Sequence, residues 1–107
     1  MSALGEIGDI KAAAAATAAL KDSDTRVRSR AVLVLGQLGD RSAVDALITA
    51  ARDHEVDIRR RALKALAEIG DPRAVEVATA ALKDPDAGVR RAAVYVLAEL
   101  GGGDAAR

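Results

Sequence analysis

The 107-residue chain contains no cysteine, phenylalanine or tryptophan, one tyrosine and two prolines. Without cysteine there is no disulfide and no thiolate metal site, which suits a reducing, cytoplasmic compartment. With Tyr95 as its only aromatic residue, the chain cannot build an aromatic core, and β-strands gain little support. An excess of one charge is missing too. Sixteen Lys and Arg balance sixteen Asp and Glu, so no global charge draws the protein to nucleic acid or to an anionic membrane. No signal peptide and no apolar run long enough to span a bilayer is visible. The alanine-rich stretch at 12–19 is short and weakly hydrophobic, and the chain reads as a soluble protein.

What is present is alanine, about a quarter of all residues, with Leu, Val and Ile supplying most of the remaining core. Such a composition favours closely packed helices. It is also periodic. "IGD" at Ile7–Asp9 recurs as "LGD" at Leu38–Asp40, "IGD" at Ile69–Asp71 and "LGG" at Leu100–Gly102, always 31 residues apart. Three ungapped units follow, 9–39, 40–70 and 71–101. The first and third are identical at 18 of 31 positions, beyond chance even for an alanine-rich chain. Residues 1–8 align with the end of a unit and 102–107 with the start of another, inside one domain covering 1–107.

Each unit reads as two helices. In the third, Asp71 is the expected N-cap and Pro72 the first helical residue. Ala74, Val75, Ala78, Thr79 and Leu82 are expected to form the apolar face. Pro85 breaks that helix and Asp86 caps a second, with Val89, Ala93, Val96, Leu97 and Leu100 facing the core. Gly101, like Gly39 and Gly70, is expected in the left-handed conformation that closes a helix. A one-residue connection makes successive helices antiparallel neighbours. A single pair cannot bury both apolar faces, whereas stacked pairs share one core. The expected architecture is all-α, a right-handed solenoid of three helix pairs with truncated ends. Residues 3–8 would be the tail of a preceding second helix. Trimmed ends of this kind, without polar caps, predict self-association.

"GDPRAVEVATAALKDPDAGVRRAAVYVLAELG", with G-D-x-x-A-V near the first cap and D-x-x-x-x-V-R-x-x-A near the second, resembles the short HEAT-like repeat of phycobilisome bilin lyases. It is also similar to artificial scaffolds built from that repeat. The resemblance covers essentially the whole chain and specifies a fold more than a function, since such repeats serve lyases, hydroxylases, adaptors and designed binders alike.

The arginines fall into separate columns. Arg28, Arg59 and Arg90 each follow a residue expected to be buried, Val27, Ile58 or Val89. Asp22, Asp53 and Asp84 stand six residues upstream in the loop between the helices. One Arg and one Asp per unit at constant spacing predict a stacked ladder in which each guanidinium bonds a carboxylate and loop carbonyls. The resemblance implies the same ladder. Acid partners would outweigh the unfavourable dipole of about 0.3–1 kcal/mol that a cation meets at a helix start.

Other columns vary freely and point away from the core: Arg26, Arg30 and Leu33 in the first unit, Asp57, Arg60, Arg61, Lys64 and Glu68 in the second, Arg91, Tyr95 and Glu99 in the third. The resemblance implies that the second helices line the concave surface and that these columns make the contacts in artificial binders. Tyr95 shares its column with Leu33 and Lys64, and it reads either as an interface anchor or as a partly buried filler. Six cations against three carboxylates give this face a modest basic excess. That excess suits an acidic protein partner, or a nucleic acid held without aromatic stacking platforms.

His54-Glu55 raises the question of iron, because hydroxylases of HEAT type bind iron through His-Glu pairs. The resemblance places such pairs inside the second helix, in the column occupied here by Arg60-Arg61 and Arg91-Ala92, not in a loop. A metal site needs several convergent ligands, and no metal, cofactor or catalytic triad is read from the sequence. The function expected is that of a non-catalytic protein-binding scaffold. The alternatives are nucleic-acid or other polyanion binding, a docking segment of a larger lyase-type enzyme, and a designed or excised module. Homo-oligomers through exposed repeat ends are a further expectation.

Overall fold

Alanine, leucine and valine at helical spacing produce six helices over residues 3–101, the part of the chain that the computed structural model describes. They are α1 (Ala3–Ala19), α2 (Thr25–Leu38), α3 (Arg41–Ala50), α4 (Val56–Ile69), α5 (Ala74–Ala81) and α6 (Ala87–Leu100), with no strand among the described residues. Residues 102–107, read as the start of a further unit, lie outside the described residues.

The helices stack in two layers, α1, α3 and α5 in one and α2, α4 and α6 in the other. Each second helix packs on the first helix of its own pair and on the second helices beside it. The Cα envelope is 41 × 36 × 14 Å, and the architecture is an all-α solenoid. Leu35, Leu47, Ile58, Leu63 and Leu66 are fully buried between the layers. Each such side chain stabilises the fold by about 1.5–3 kcal/mol. Between them Ala43, Ala62, Ala74, Ala78 and Ala93 are fully buried, small enough to let backbones approach closely.

Loop chemistry fixes the helix ends. The carboxylates of Asp24, Asp40 and Asp86 accept from the N–H groups of Arg26, Ala43 and Val89 and cap α2, α3 and α6. Glu55, before α4, makes no side-chain cap bond, and Asp53 takes the Glu55 N–H instead, at 2.8 Å. Gly39 and Gly70 adopt φ of 62° and 80°, the left-handed turn that returns the chain into the next pair.

Five expectations are corrected. First, α1 runs unbroken through Gly8 and Asp9, so residues 3–8 extend α1 instead of ending a preceding helix. The alanine run favours continuation, and an interior glycine costs only about 1 kcal/mol. Second, Gly101 has φ −98°, in the right-handed region, with its N–H on the Leu97 carbonyl at 2.7 Å. Third, Thr79 and Leu82 are exposed. The inward stripe of α5 is Ala74, Val77 and Ala78, while the Thr79 hydroxyl donates to the Val75 carbonyl at 2.8 Å. Fourth, regular helix in α5 starts at Ala74. Pro72 and Arg73 form a tight turn, and the Asp71 carboxylate accepts the Arg73 N–H at 2.9 Å. Fifth, Val27 is 38% exposed where Ile58 and Val89 are fully buried, because no described helix covers the outer side of α2.

Candidate functional site

The interhelix loops bring the Arg and Asp columns together along one edge. Arg28 donates from Nε and Nη2 to the Asp53 carboxylate at 2.9 and 3.4 Å, and from Nη1 to the carbonyls of Asp22 and Ser23. Arg59 repeats the pattern, with Nε and Nη2 on Asp84 at 2.8 and 3.2 Å and Nη1 on the Asp53 and His54 carbonyls. Arg28 and Arg59 therefore each take carbonyls from their own loop and a carboxylate from the next, whereas Arg90 takes only the Asp84 and Pro85 carbonyls among the described residues. Each aspartate's Oδ1 also holds the N–H two residues on, at 2.8 Å for Asp24 and 2.9 Å for Asp86. The bidentate fork of arginine fits this role, and lysine could not reproduce it. Arg28 is buried, with Thr25 Oγ1 and His54 Nε2 each 3.4 Å from its Nη2. The Arg59 guanidinium holds the Asp84 carboxyl below the usual carboxylate range.

The face of α2, α4 and α6 turned away from the other layer carries the variable columns. Arg26, Arg30, Leu33, Arg60, Arg61, Lys64, Glu68, Arg91, Tyr95 and Glu99 are all exposed, and Asp57 is half-buried beside them. Asp57 accepts from both Arg60 and Arg61, whose bonds, that from Arg61 first, hold its carboxyl below the ordinary range. Arg26 bonds back to its cap Asp24, which is lowered for the same reason. Three of the six face cations are thus ion-paired locally, with Arg60 and Arg61 sharing one carboxylate. Arg30, Lys64 and Arg91 have no ion pair among the described residues.

Between α2 and α4 this face is grooved. One hollow of about 440 Å³ is lined by Ser29, Leu33, Gly36, Arg61, Lys64 and Glu68 among others. A second, of about 500 Å³, runs over Leu33 toward Arg26, Arg30 and Asp57. Leu33, 49% exposed, is common to both and forms an apolar spot inside a charged rim. Gly36 lets the helices close beneath it: a methyl there would meet the Ala65 Cβ at 3.2 Å. Tyr95 lies further along the column, 45% exposed, which makes it an accessible side chain and not a buried filler.

His54 stands exposed on the α3–α4 loop, its Nδ1 3.6 Å from Asp53 and its Nε2 3.9 Å from Glu55. Among the described residues no three His, Cys, Asp or Glu side chains are grouped to hold a metal ion. Two features escaped sequence reasoning. Asp24 adds a carboxylate to the second-helix face. Arg73 donates to Asp45 at 2.6 Å and to the Arg41 carbonyl, pinning the first-helix side of the third pair to the second. Neither Asp45 nor Arg73 belongs to a repeated Arg–Asp column, so no spacing signalled the contact.

Stacked helix pairs with an Arg–Asp ladder along one edge define the class, a helical repeat protein of α-solenoid type. The HEAT repeats profile matches residues 1–61 and 47–107, so the chain belongs to the HEAT repeat family. No curated protein matches it. Among solved structures it is similar to human deoxyhypusine hydroxylase in complex with glycerol, with a TM-score of 0.74 and 26% identity. The match covers 84% of this chain and 32% of that one, so the chain spans about a third of the hydroxylase. No helix among the described residues is long and apolar enough to cross a membrane.

Proposed function

We propose that this chain is a non-catalytic scaffold that binds a protein partner on the face of α2, α4 and α6. The observation that carries the reading is the groove centred on Leu33, an exposed apolar spot floored by Gly36 and rimmed by Arg30, Arg61 and Lys64. An apolar centre with a charged rim is the usual anatomy of a protein interface, and HEAT repeats present extended surfaces of this kind. Arg30, Lys64 and Arg91 favour a partner segment that places carboxylates around an apolar anchor. The 31-residue unit supports placing the chain with the bilin-lyase type of HEAT-like repeat and the artificial binders built on it. The hydroxylase activity named for the similar human protein is not carried over, since the single histidine lies in a loop, outside the second helices.

Local pairing of Arg26, Arg60 and Arg61 with two carboxylates lowers the charge this face offers a nucleic acid, and Tyr95 is the sole aromatic to stack a base. Peptides selected from a displayed library against the chain are expected to carry acidic residues. They should lose at least about tenfold in affinity to Leu33→Asp or Tyr95→Ala, with thermal melting unchanged. Binders indifferent to both substitutions would overturn the face assignment. Titration with single-stranded and duplex DNA and RNA at two salt concentrations should give weak binding. Tight binding that falls steeply with salt would replace the protein reading with the polyanion one.

A further inference from the structure

At each end of the described stack an apolar column is left exposed that is buried in the middle. Val32 and Leu63 are buried in α2 and α4, but Val94, their counterpart in α6, is 55% exposed. What covers that column is therefore the following pair. Ile58 and Val89 are fully buried, but their counterpart Val27 is not, so the preceding pair covers that column. Beside Val27 lies a hollow of about 710 Å³ lined chiefly by Ala12, Ala15, Ala16, Ala19 and Val34.

The ladder is open in the same sense. Arg90 holds the Asp84 and Pro85 carbonyls through Nη1 at 2.8 and 3.0 Å, as Arg28 and Arg59 hold theirs. Its Nε and Nη2, the atoms that grip the next carboxylate in the inner rungs, meet no carboxylate among the described residues. At the other end the Asp22 carboxylate receives the Asp24 N–H and no arginine among the described residues.

We infer that the occupant of both open surfaces is a second copy of this chain, stacked head to tail. The third pair of one copy covers the first pair of the next, with Val94 against the Val27 hollow and Arg90 on Asp22. An occupant of the hollow must bring an apolar side chain and an arginine whose fork is already oriented. Arg90 and Val94, one helical turn apart and equivalent to the half-buried Arg59 and the buried Leu63, meet both demands. The contact is heterologous, joining two different surfaces, so assembly does not stop at a dimer.

Sedimentation of the chain between about 10 µM and about 1 mM should show an average mass that rises continuously past the dimer. Val94→Arg, at an exposed position that leaves folding intact, should weaken association at least about tenfold. Asp22→Arg alone, or Arg90→Asp alone, should do the same through like-charge contact. An equimolar mixture of those two variants should regain assembly, because each brings the surface that the other can pair. A monomer throughout that range, a species that stops at two, or association unchanged in Val94→Arg would overturn the inference. So would a mixture no more associated than its components.

Discussion

Leu63 in α4 is fully buried, while Val94, 31 residues later in the same column of α6, is 55% exposed; Ile58 and Val27 differ in the same way on the opposite side. The middle pair has a neighbour on both sides, whereas each outer pair has a single described one. The columns are nearly identical in chemistry, so burial here belongs to the stacking position and not to the residue. The arginines make the same point. Arg59 grips the carboxylate of the following loop, and Arg90, with identical local bonds to its own loop, does not. A repeat protein of this size thus has a middle that resembles the core of a larger domain and two flanks that resemble interfaces.

The largest separation between middle and flank should come from the ladder. Arg59→Ala leaves the half-buried Asp84 carboxylate with only the Asp86 N–H and takes a donor from two carbonyls, and breaking such a pair costs about 3–5 kcal/mol. Arg90→Ala, with no carboxylate to strand, should shift the urea midpoint far less, and so should Arg60→Ala on the exposed face. Equal midpoints for Arg59→Ala and Arg90→Ala would remove the distinction. The same rung sets an acid limit. The Asp84 carboxyl titrates below its unfolded value of about 3.9. Its contribution is therefore complete above pH of about 4 and is lost as the pH falls through the folded-state value. Thermal melts of wild type and Asp84→Asn should accordingly converge on acidification below that pH.

A smaller separation is expected in the core columns. Leu63→Ala removes a fully buried side chain and should cost about 2–5 kcal/mol. Val94→Ala should change stability by under about 0.5 kcal/mol at concentrations where the chain is monomeric. The smallest is conformational. Gly70→Ala forces a side chain into the left-handed region at a cost of about 1–2 kcal/mol. Gly101, at φ −98°, carries no left-handed strain, but a methyl there would lie 3.1 Å from the Leu97 carbonyl, so alanine should cost something under about 1 kcal/mol. If chemical denaturation ranks Gly101→Ala as the worse of the two, the conformational difference between the middle and the flank is wrong.

Much of this arrangement was legible in the sequence. The 31-residue period placed the repeated glycines and the Arg and Asp columns, and the caps at Asp40 and Asp86 follow from single residues beside helical runs. The partner within each rung was not legible. Spacing put Asp53 six residues before Arg59, but Asp53 offers Arg59 its carbonyl and gives its carboxylate to Arg28. A column pattern that repeats every unit cannot say whether contact is made within a unit or across to the next. For the second-helix face, the exposed columns were readable. The pairing of Arg60 and Arg61 with Asp57, and the closing of α2 on α4 over Gly36, depend on side-chain reach and interhelix distance that no spacing encodes.

The sequence alone determined the local states. Alanine-rich amphipathic runs must be helices, aspartates beside them must cap or hold the turn, and helix pairs with apolar faces on two sides must stack, because those choices rest on interactions within a few residues or on a strict period. Tertiary structure decided what each column meets. It buried Ile58 and left Val27 open. The reason is that burial is set by the neighbour a surface finds, and an identical residue finds different neighbours along a stack.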